Sequence, residues 1–336
     1  MQLSDLDYPL PPGLIAQHPT EPRDAARLLV DRGSSAPEHR HVSDLVDLLG
    51  DGDLLVVNDS RVIPARLALR RESGGAVEVL LLEARDPDRR RWEAMVRPGG
   101  KLRAGEVLLA GDRQLVRFDG RTSAGDTFEV TILGDDDPLT ALAEHGRMPL
   151  PPYITAALDR PERYQTVYAE APGSVAAPTA GLHLTPELLD ALAARGVELA
   201  RVELLVGLDT FQPISAENPL DHTIHTERYR VPGDVLPRCA NARRVVAVGT
   251  TAVRALESAA TTGVAEGRTN LFIHPGYRWQ VVDVLMTNFH LPRTTLLLMI
   301  EAFVGRRWRD LYAAAVEERY RFLSFGDAML LDRSLT

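Results

Sequence analysis

Four short stretches of this chain concentrate residues able to do chemistry. Residues 178–183 read PTAGLH, and a histidine there suits proton transfer near neutral pH. Residues 58–61 read NDSR. A carboxylate beside a guanidinium, Asp59 with Arg61, serves as a general base, as a substrate anchor, or only as a brace for its own turn. Residues 248–251 read VGTT and open a run with helical spacing. Free N–H groups at a helix start hold a carboxylate or phosphate, and the Thr250 and Thr251 hydroxyls add donors; plain capping is the competing role. The run matches neither a P-loop nor a dinucleotide-binding fingerprint. Residues 287–292 read TNFHLP and place Asn288 and His290 just past an apolar run. In DHTIH, His222 and His225 stand three apart, which suggests a metal. No HExxH pattern or obvious third ligand accompanies them, so a structural or substrate-contacting role is preferred.

These groups need elements to hold them. Leu54 to Val57 predict a buried strand, with NDS as its turn. From Arg66 to about Leu133, short alternating stretches separated by glycine predict a small antiparallel barrel or sandwich. The proline-rich HGRMPLPPYI, residues 145–154, reads as a return linker. In TPELLDALAARGV, Thr185 is a candidate N-cap, Pro186 the first helical residue and Gly196 the terminator. ELARVELLVG predicts a strand, RRVVAVGTTAVRALESAA a strand, tight turn and helix, and TTLLLMIEAFVG and LYAAAVEERYRF two more helices. Helices interleaved with strands imply an α/β domain. The expected organisation is therefore residues 1–65 with 146–336 as an α/β catalytic domain, and 66–145 as an inserted β-barrel. Each chemical stretch then follows a strand, where α/β sheets bind ligands.

Composition narrows the class. With 336 residues and 45% hydrophobic content, the chain suits a two-domain globular protein. No apolar run is long enough to cross a bilayer, and the N-terminus lacks the pattern of a secretory signal, so a cytoplasmic location is expected. Cys239 is the only cysteine, which rules out an intramolecular disulfide and a cysteine metal site. Lys101 is the only lysine and reads as a solvated surface residue. The net charge of −9 argues against a general nucleic-acid binder. Arg66 to Arg121 nevertheless carries thirteen basic against nine acidic residues, a local +4 that suits a phosphate backbone.

Taken together, LSDLDYPLPPGLIAQHP, GDLLVVNDSRVIPARL, GRMPLPPYI, RYQTVYAEAPGSVAAPTAGLHLTPELL, VVAVGTTAVRALES, VVDVLMTNFHLPRTTLLLMI and YRFLSFGDAMLL resemble the S-adenosylmethionine:tRNA ribosyltransferase-isomerase family of the queuosine pathway. The resemblance runs from the first residues to the last. It implies an α/β domain carrying an inserted antiparallel β-barrel. It also implies that the ribosyl part of S-adenosylmethionine is rearranged and joined to a 7-aminomethyl-7-deazaguanine at a tRNA wobble position, in the anticodon region, with loss of adenine and methionine. S-Adenosylmethionine is then a consumed substrate; no cofactor, metal or membrane is called for. Carried onto this chain, the resemblance makes His183 and Asp59 the catalytic candidates. Asn58, Arg61, Thr179, Gly181, Thr250, Thr251, Arg254, Asn288 and His290 are candidates for substrate binding.

The chain departs from the family pattern in a few places. Leu205 stands for a histidine, Asp209 for a glycine, Glu203 for a threonine, Glu301 for a serine and Thr155 for an arginine. Leu205 and Asp209 share a face if their segment is a strand. Such changes keep two other readings in view. One, which the acidic net charge favours, is a divergent relative using a small deazapurine or another acceptor; the other, which that charge disfavours, is a non-catalytic RNA-binding protein.

Overall fold

In a computed structural model of the chain, residues 1–123, 125–207, 214, 216–222, 224 and 226–335 are described. They form two compact units. The first comprises Met1–Ser60, Pro152–Ala171 and Ala177–Thr336; the second comprises Arg61–Pro151 and Pro172–Ala176.

The first unit is built on a nine-stranded mixed sheet. Its spatial order is Glu266–Thr269, Glu227–Arg230, Glu198–Leu204, Asp53–Asn58, Arg244–Val248, Val284–Asn288, Ala328–Asp332, Arg27–Val30 and Glu38–His41. The four strands from Glu198–Leu204 to Val284–Asn288 are mutually parallel, so their carboxyl ends share one edge. Asp53–Asn58 and Val284–Asn288 are buried at every residue, as expected where both faces of a parallel sheet are covered. One face packs Leu55, Val57, Val246, Val248 and Met286 against Leu184, Leu188 and Leu192. The latter two belong to helix Pro186–Ala194, whose Thr185 hydroxyl accepts from Leu188 N at 3.1 Å as the N-cap reading requires.

The second unit is a closed six-stranded antiparallel barrel. Around it run Arg66–Arg71, Ala76–Ala84, Arg91–Arg97, Phe128–Ile132, Arg113–Arg121 and Val107–Ala110, which pairs back onto Arg66–Arg71. Its strands alternate buried and exposed residues, the pattern of a barrel wall with one side inward. The mixed α/β fold with an antiparallel barrel is thus the expected class. The stretch read as a return linker contributes more than linkage: Gly146–Arg147 pairs antiparallel with Leu67 and Arg66. Lys101 is exposed. No helix among the described residues is long and apolar enough to cross a membrane.

Candidate functional site

The shared carboxyl edge of the large sheet opens into a cleft with two chambers. The first is lined by residues at or just past the ends of three of the parallel strands: Val206, Gly249 to Thr251, and Thr287 to Leu291. Pro178 to Ala180, Leu323, Ser324 and Tyr153 close it. It takes in about 620 Å³, open solvent included. The second chamber, about 700 Å³ on the same measure, shares Thr250, Thr251 and Leu296 with the first. Its own walls include His222, Glu227, Arg254, Phe272 and Met299.

The polar groups of the first chamber are largely tied to one another. Thr179 Oγ1 donates to Asn288 Oδ1 at 2.9 Å, and Asn288 Nδ2 donates to the Leu323 carbonyl at 3.1 Å. Tyr153 and Ser324 share a hydroxyl–hydroxyl bond of 2.7 Å, and burial pushes the Tyr153 hydroxyl above the usual phenol range. His290 Nε2 lies 3.1 Å from Thr287 Oγ1. Burial pushes the His290 imidazole down to about 3, so it is neutral at pH 7. The His290 backbone is clamped on both sides: its N–H donates to Tyr312 Oη at 3.0 Å, and its carbonyl accepts from Tyr8 Oη. Between Asn288 and His290, the Phe289 ring packs against Phe322 and Tyr312 at 4.8 and 5.5 Å. An aromatic anchor thus sets the loop that presents two polar side chains. With His290 neutral, no described residue lining this chamber carries a formal charge.

Gly249 caps the helix Thr250–Thr262 with φ of +88°, a conformation that favours glycine. The tight turn lets the chain leave its strand and start the helix at once, so the helix starts at the cleft, where Thr250 and Thr251 line both chambers. Thr251 Oγ1 is buried and has no hydrogen-bond partner. One turn on, Arg254 Nη1 donates to Glu227 Oε2, while its Nε and Nη2 are buried without partners.

The two catalytic candidates lie outside the lining of both chambers. His183 does not project toward a ligand as expected. Its Nδ1 and Nε2 each lie 2.9 Å from a backbone carbonyl, those of Ala180 and Gly326. Ala180 lines the first chamber, and Gly326 lies two residues past the lining residue Ser324, so the ring ties that wall to the chain segment that carries Ser324. Asp59 follows the strand between those that lead to Val206 and Gly249, so it stands at the same sheet edge. Its Oδ1 is buried without a partner, and its carboxyl is raised to about 6, first by burial and then by the charges of Glu203 and Glu170; Arg201 opposes this.

Other expectations also change. Asn58 is fully buried, and its amide is used internally: Nδ2 donates to Leu204 O, and Oδ1 accepts from Leu204 N and Ser60 N. Gly181 does not line the cleft; a Cβ there would lie 1.9 Å from Tyr168 Oη, so the close approach of that ring requires glycine. Arg61 is exposed and falls in the second unit. Thr179, Thr250, Thr251, Asn288 and His290 meet in the first chamber, with Arg254 in the second. Sequence reasoning passed over Tyr153, Ser324, Thr287 and Glu227. The first two fall within PPYI and RFLSFGD, where nothing in composition distinguishes them from packing residues.

The departures fall mostly away from the cleft. Leu205 lines neither chamber, Glu301 accepts from Trp308 Nε1 at 2.9 Å within the helical layer, and Thr155 bonds Gln17 Oε1. Glu203 pairs with Arg230 at 2.8 Å. Asp209 and His225 lie outside the described residues. Among those described, no group of three or more His, Cys, Asp or Glu is arranged to hold a metal ion.

The profile of the family described as Queuosine biosynthesis protein matches residues 3–331 of this chain. The chain belongs to that family. It is 52% identical to the S-adenosylmethionine:tRNA ribosyltransferase-isomerase of Symbiobacterium thermophilum, covering 98% of this chain and all of the relative. With the protein of the same name from Rubrobacter xylanophilus it shares 50% identity, covering 98% of each. The crystal structure of the S-adenosylmethionine tRNA ribosyltransferase of Thermotoga maritima superposes with a TM-score of 0.56 at 38% identity, covering 97% of this chain and 99% of that one. The matches thus run over nearly the full length of this chain and of these relatives.

Proposed function

We propose that this chain is an S-adenosylmethionine:tRNA ribosyltransferase-isomerase. It transfers and isomerises the ribosyl moiety of S-adenosylmethionine onto a 7-aminomethyl-7-deazaguanine at the wobble position of a tRNA anticodon, giving epoxyqueuosine and releasing adenine and methionine. The observation that carries the reading is convergence: the loops 178–180, 249–251 and 287–291, brought from three distant parts of the chain, line one cleft, and relatives of that name match the chain end to end.

The sulfonium of the substrate acidifies its own 5′ carbon. A base removes that proton to give an ylide; ring opening and loss of adenine follow. The acceptor amine then adds, a regenerated ylide closes the five-membered ring, and methionine departs as the epoxide forms. The first chamber suits this substrate because its walls are mostly apolar, carry a few polar groups and no formal charge, and a neutral His290 does not repel a sulfonium. Thr179, Thr250, Thr251, Asn288 and His290 orient the substrate there. Asp59, at the same sheet edge although outside the lining of both chambers, is the candidate general base, since a carboxyl at about 6 lies close to the operating pH, where proton transfer is most effective. His183, Asn58 and Gly181 act as positioning residues behind the cleft, and exposed Arg61 is available to a phosphate of the acceptor. The protein acts in the cytoplasm and needs no added metal or cofactor.

The deciding experiment incubates the protein with S-adenosylmethionine and a tRNA carrying the aminomethyl-deazaguanine, with mass spectrometry of every product. Adenine, methionine and modified tRNA are expected, and turnover is expected to survive exhaustive chelation. Formation of S-adenosylhomocysteine would instead indicate methyl transfer, and turnover on a free deazapurine but not on tRNA would indicate another acceptor. No observation favours such an acceptor: Leu205 lines neither chamber.

A further inference from the structure

The second chamber contains something the first does not: a buried guanidinium with two donors that have nothing to bond. Arg254 is 9% exposed and lines the chamber, yet Nε and Nη2 of its guanidinium have no partner. These two nitrogens form one side of the guanidinium fork, the edge that takes a carboxylate through two parallel bonds. The opposite nitrogen, Nη1, is held by Glu227, so the free edge has a fixed direction. Thr251, 8% exposed, adds an unpartnered hydroxyl one turn away on the same helix. The first turn of that thirteen-residue helix supplies unpaired N–H groups and the positive end of its dipole. Buried polar groups are nearly always satisfied, so this concentration of unused donors calls for an anion.

The surroundings describe the anion. Phe272, Ile273, Leu296 and Met299 give the chamber apolar walls, which suit a short hydrocarbon chain ending in a carboxylate. Glu227 places a negative charge beside Arg254, which disfavours a multiply charged phosphate and suits a zwitterion. Thr250 and Thr251 border both chambers, so one molecule can reach from the first into the second.

We propose that the second chamber binds the amino-acid tail of S-adenosylmethionine, with its carboxylate on Arg254 Nε and Nη2 and on the Thr251 hydroxyl. This rests on the functional reading above and assigns its substrate's orientation: nucleoside and sulfonium in the first chamber, methionine tail in the second. The released methionine keeps the same carboxylate contact until it leaves.

Decarboxylated S-adenosylmethionine, which keeps the sulfonium and the amine but lacks the carboxylate, isolates this contact. Binding of both compounds is measured by calorimetry for the wild-type protein and for Arg254→Lys, which retains a charge for Glu227 but loses the side-on fork. Wild type is expected to prefer S-adenosylmethionine by about tenfold or more, the scale of one charge-assisted hydrogen bond. Arg254→Lys is expected to lose most of that preference, with KM for S-adenosylmethionine rising and KM for tRNA unchanged. Thr251→Val, which keeps the branched shape and neutrality but removes the hydroxyl, is expected to reduce the preference by a smaller factor. Equal affinity of wild type for the two compounds overturns the proposal, as does a preference that survives intact in Arg254→Lys. Turnover without such a preference leaves the functional reading standing and removes only this orientation; a preference without ribosyl transfer does the reverse.

Discussion

The two chambers of the cleft are neighbours made in opposite ways. In the first, side chains bond mainly to the protein: Thr179 to Asn288, Asn288 to the Leu323 carbonyl, Tyr153 to Ser324 and His290 to Thr287. In the second, Arg254 and Thr251 hold buried donors with no protein partner. A satisfied network stabilises a fixed shape, whereas unsatisfied donors reduce stability until a ligand arrives. The first chamber is therefore read as a preformed mould for the sulfonium nucleoside of the substrate. The second is read as a site whose stability and affinity oppose each other.

The largest effect is expected at the point where that mould is tied from behind. His183→Ala removes a buried ring and leaves the Ala180 and Gly326 carbonyls without it. A stability loss of about 2–4 kcal/mol is expected in urea denaturation, on the scale of buried hydrogen bonds and a new cavity together. Turnover should fall because two walls lose their brace. A folded His183→Ala variant with wild-type stability and turnover would show that the bridge has no part in forming the cleft.

Next in size is a contrast between two threonines. Thr179→Val breaks the link to Asn288 and should cost about 1–2 kcal/mol. Thr251→Val removes a buried hydroxyl that has no partner, so it should leave the unliganded protein equally stable or more stable while weakening substrate binding. Parallel denaturation curves with and without S-adenosylmethionine read both quantities. If the two substitutions destabilise the free protein equally, the distinction between the chambers does not hold.

Much of this arrangement is legible in the amino-acid sequence, and the reasons are local. An unbroken apolar run at Leu54–Val57 must be covered on both faces, and Thr185 followed by Pro186 must start a helix, whatever the rest of the molecule does. Gly249 before two threonines likewise marks a strand-to-helix turn. Direction is harder to read than element. His183 lies in the most distinctive loop, yet its ring turns toward two carbonyls, because residue type states what a group is able to do and not which neighbour it meets. Glu227 and Arg254 come together only because an edge-region strand passes beside a helix twenty-seven residues later in the chain, and no spacing rule reports that. The departure at Glu301 illustrates the same limit: a buried acid on a helix beside the cleft is used by the Trp308 indole.

The base assignment is read in the pH profile. With the Asp59 carboxyl at about 6 and the ionised form acting as base, kcat/KM should fall as pH drops through 6, and Asp59→Asn should abolish that limb along with most turnover. Glu203→Thr removes one of the charges that raise this carboxyl, so it should move the limb to lower pH. The linkage sign is consistent: a folded-state value above the unfolded one means that ionisation opposes folding, so the stabilisation is present at low pH and lost as pH rises through 6. Asp59→Asn should consequently make the protein more stable at pH 7. An acid limb unmoved by Glu203→Thr and still present in Asp59→Asn would assign the base elsewhere.

The contrast between a chamber that is complete and one that awaits a ligand is tested most directly by a crystal structure of the protein with S-adenosylmethionine bound. The account predicts the sulfonium nucleoside in the chamber of Asn288 and His290, and the substrate carboxylate roughly 2.7–2.9 Å from Arg254 Nε and Nη2. A bound substrate whose carboxylate lies elsewhere, with those two nitrogens still unpartnered, would contradict it.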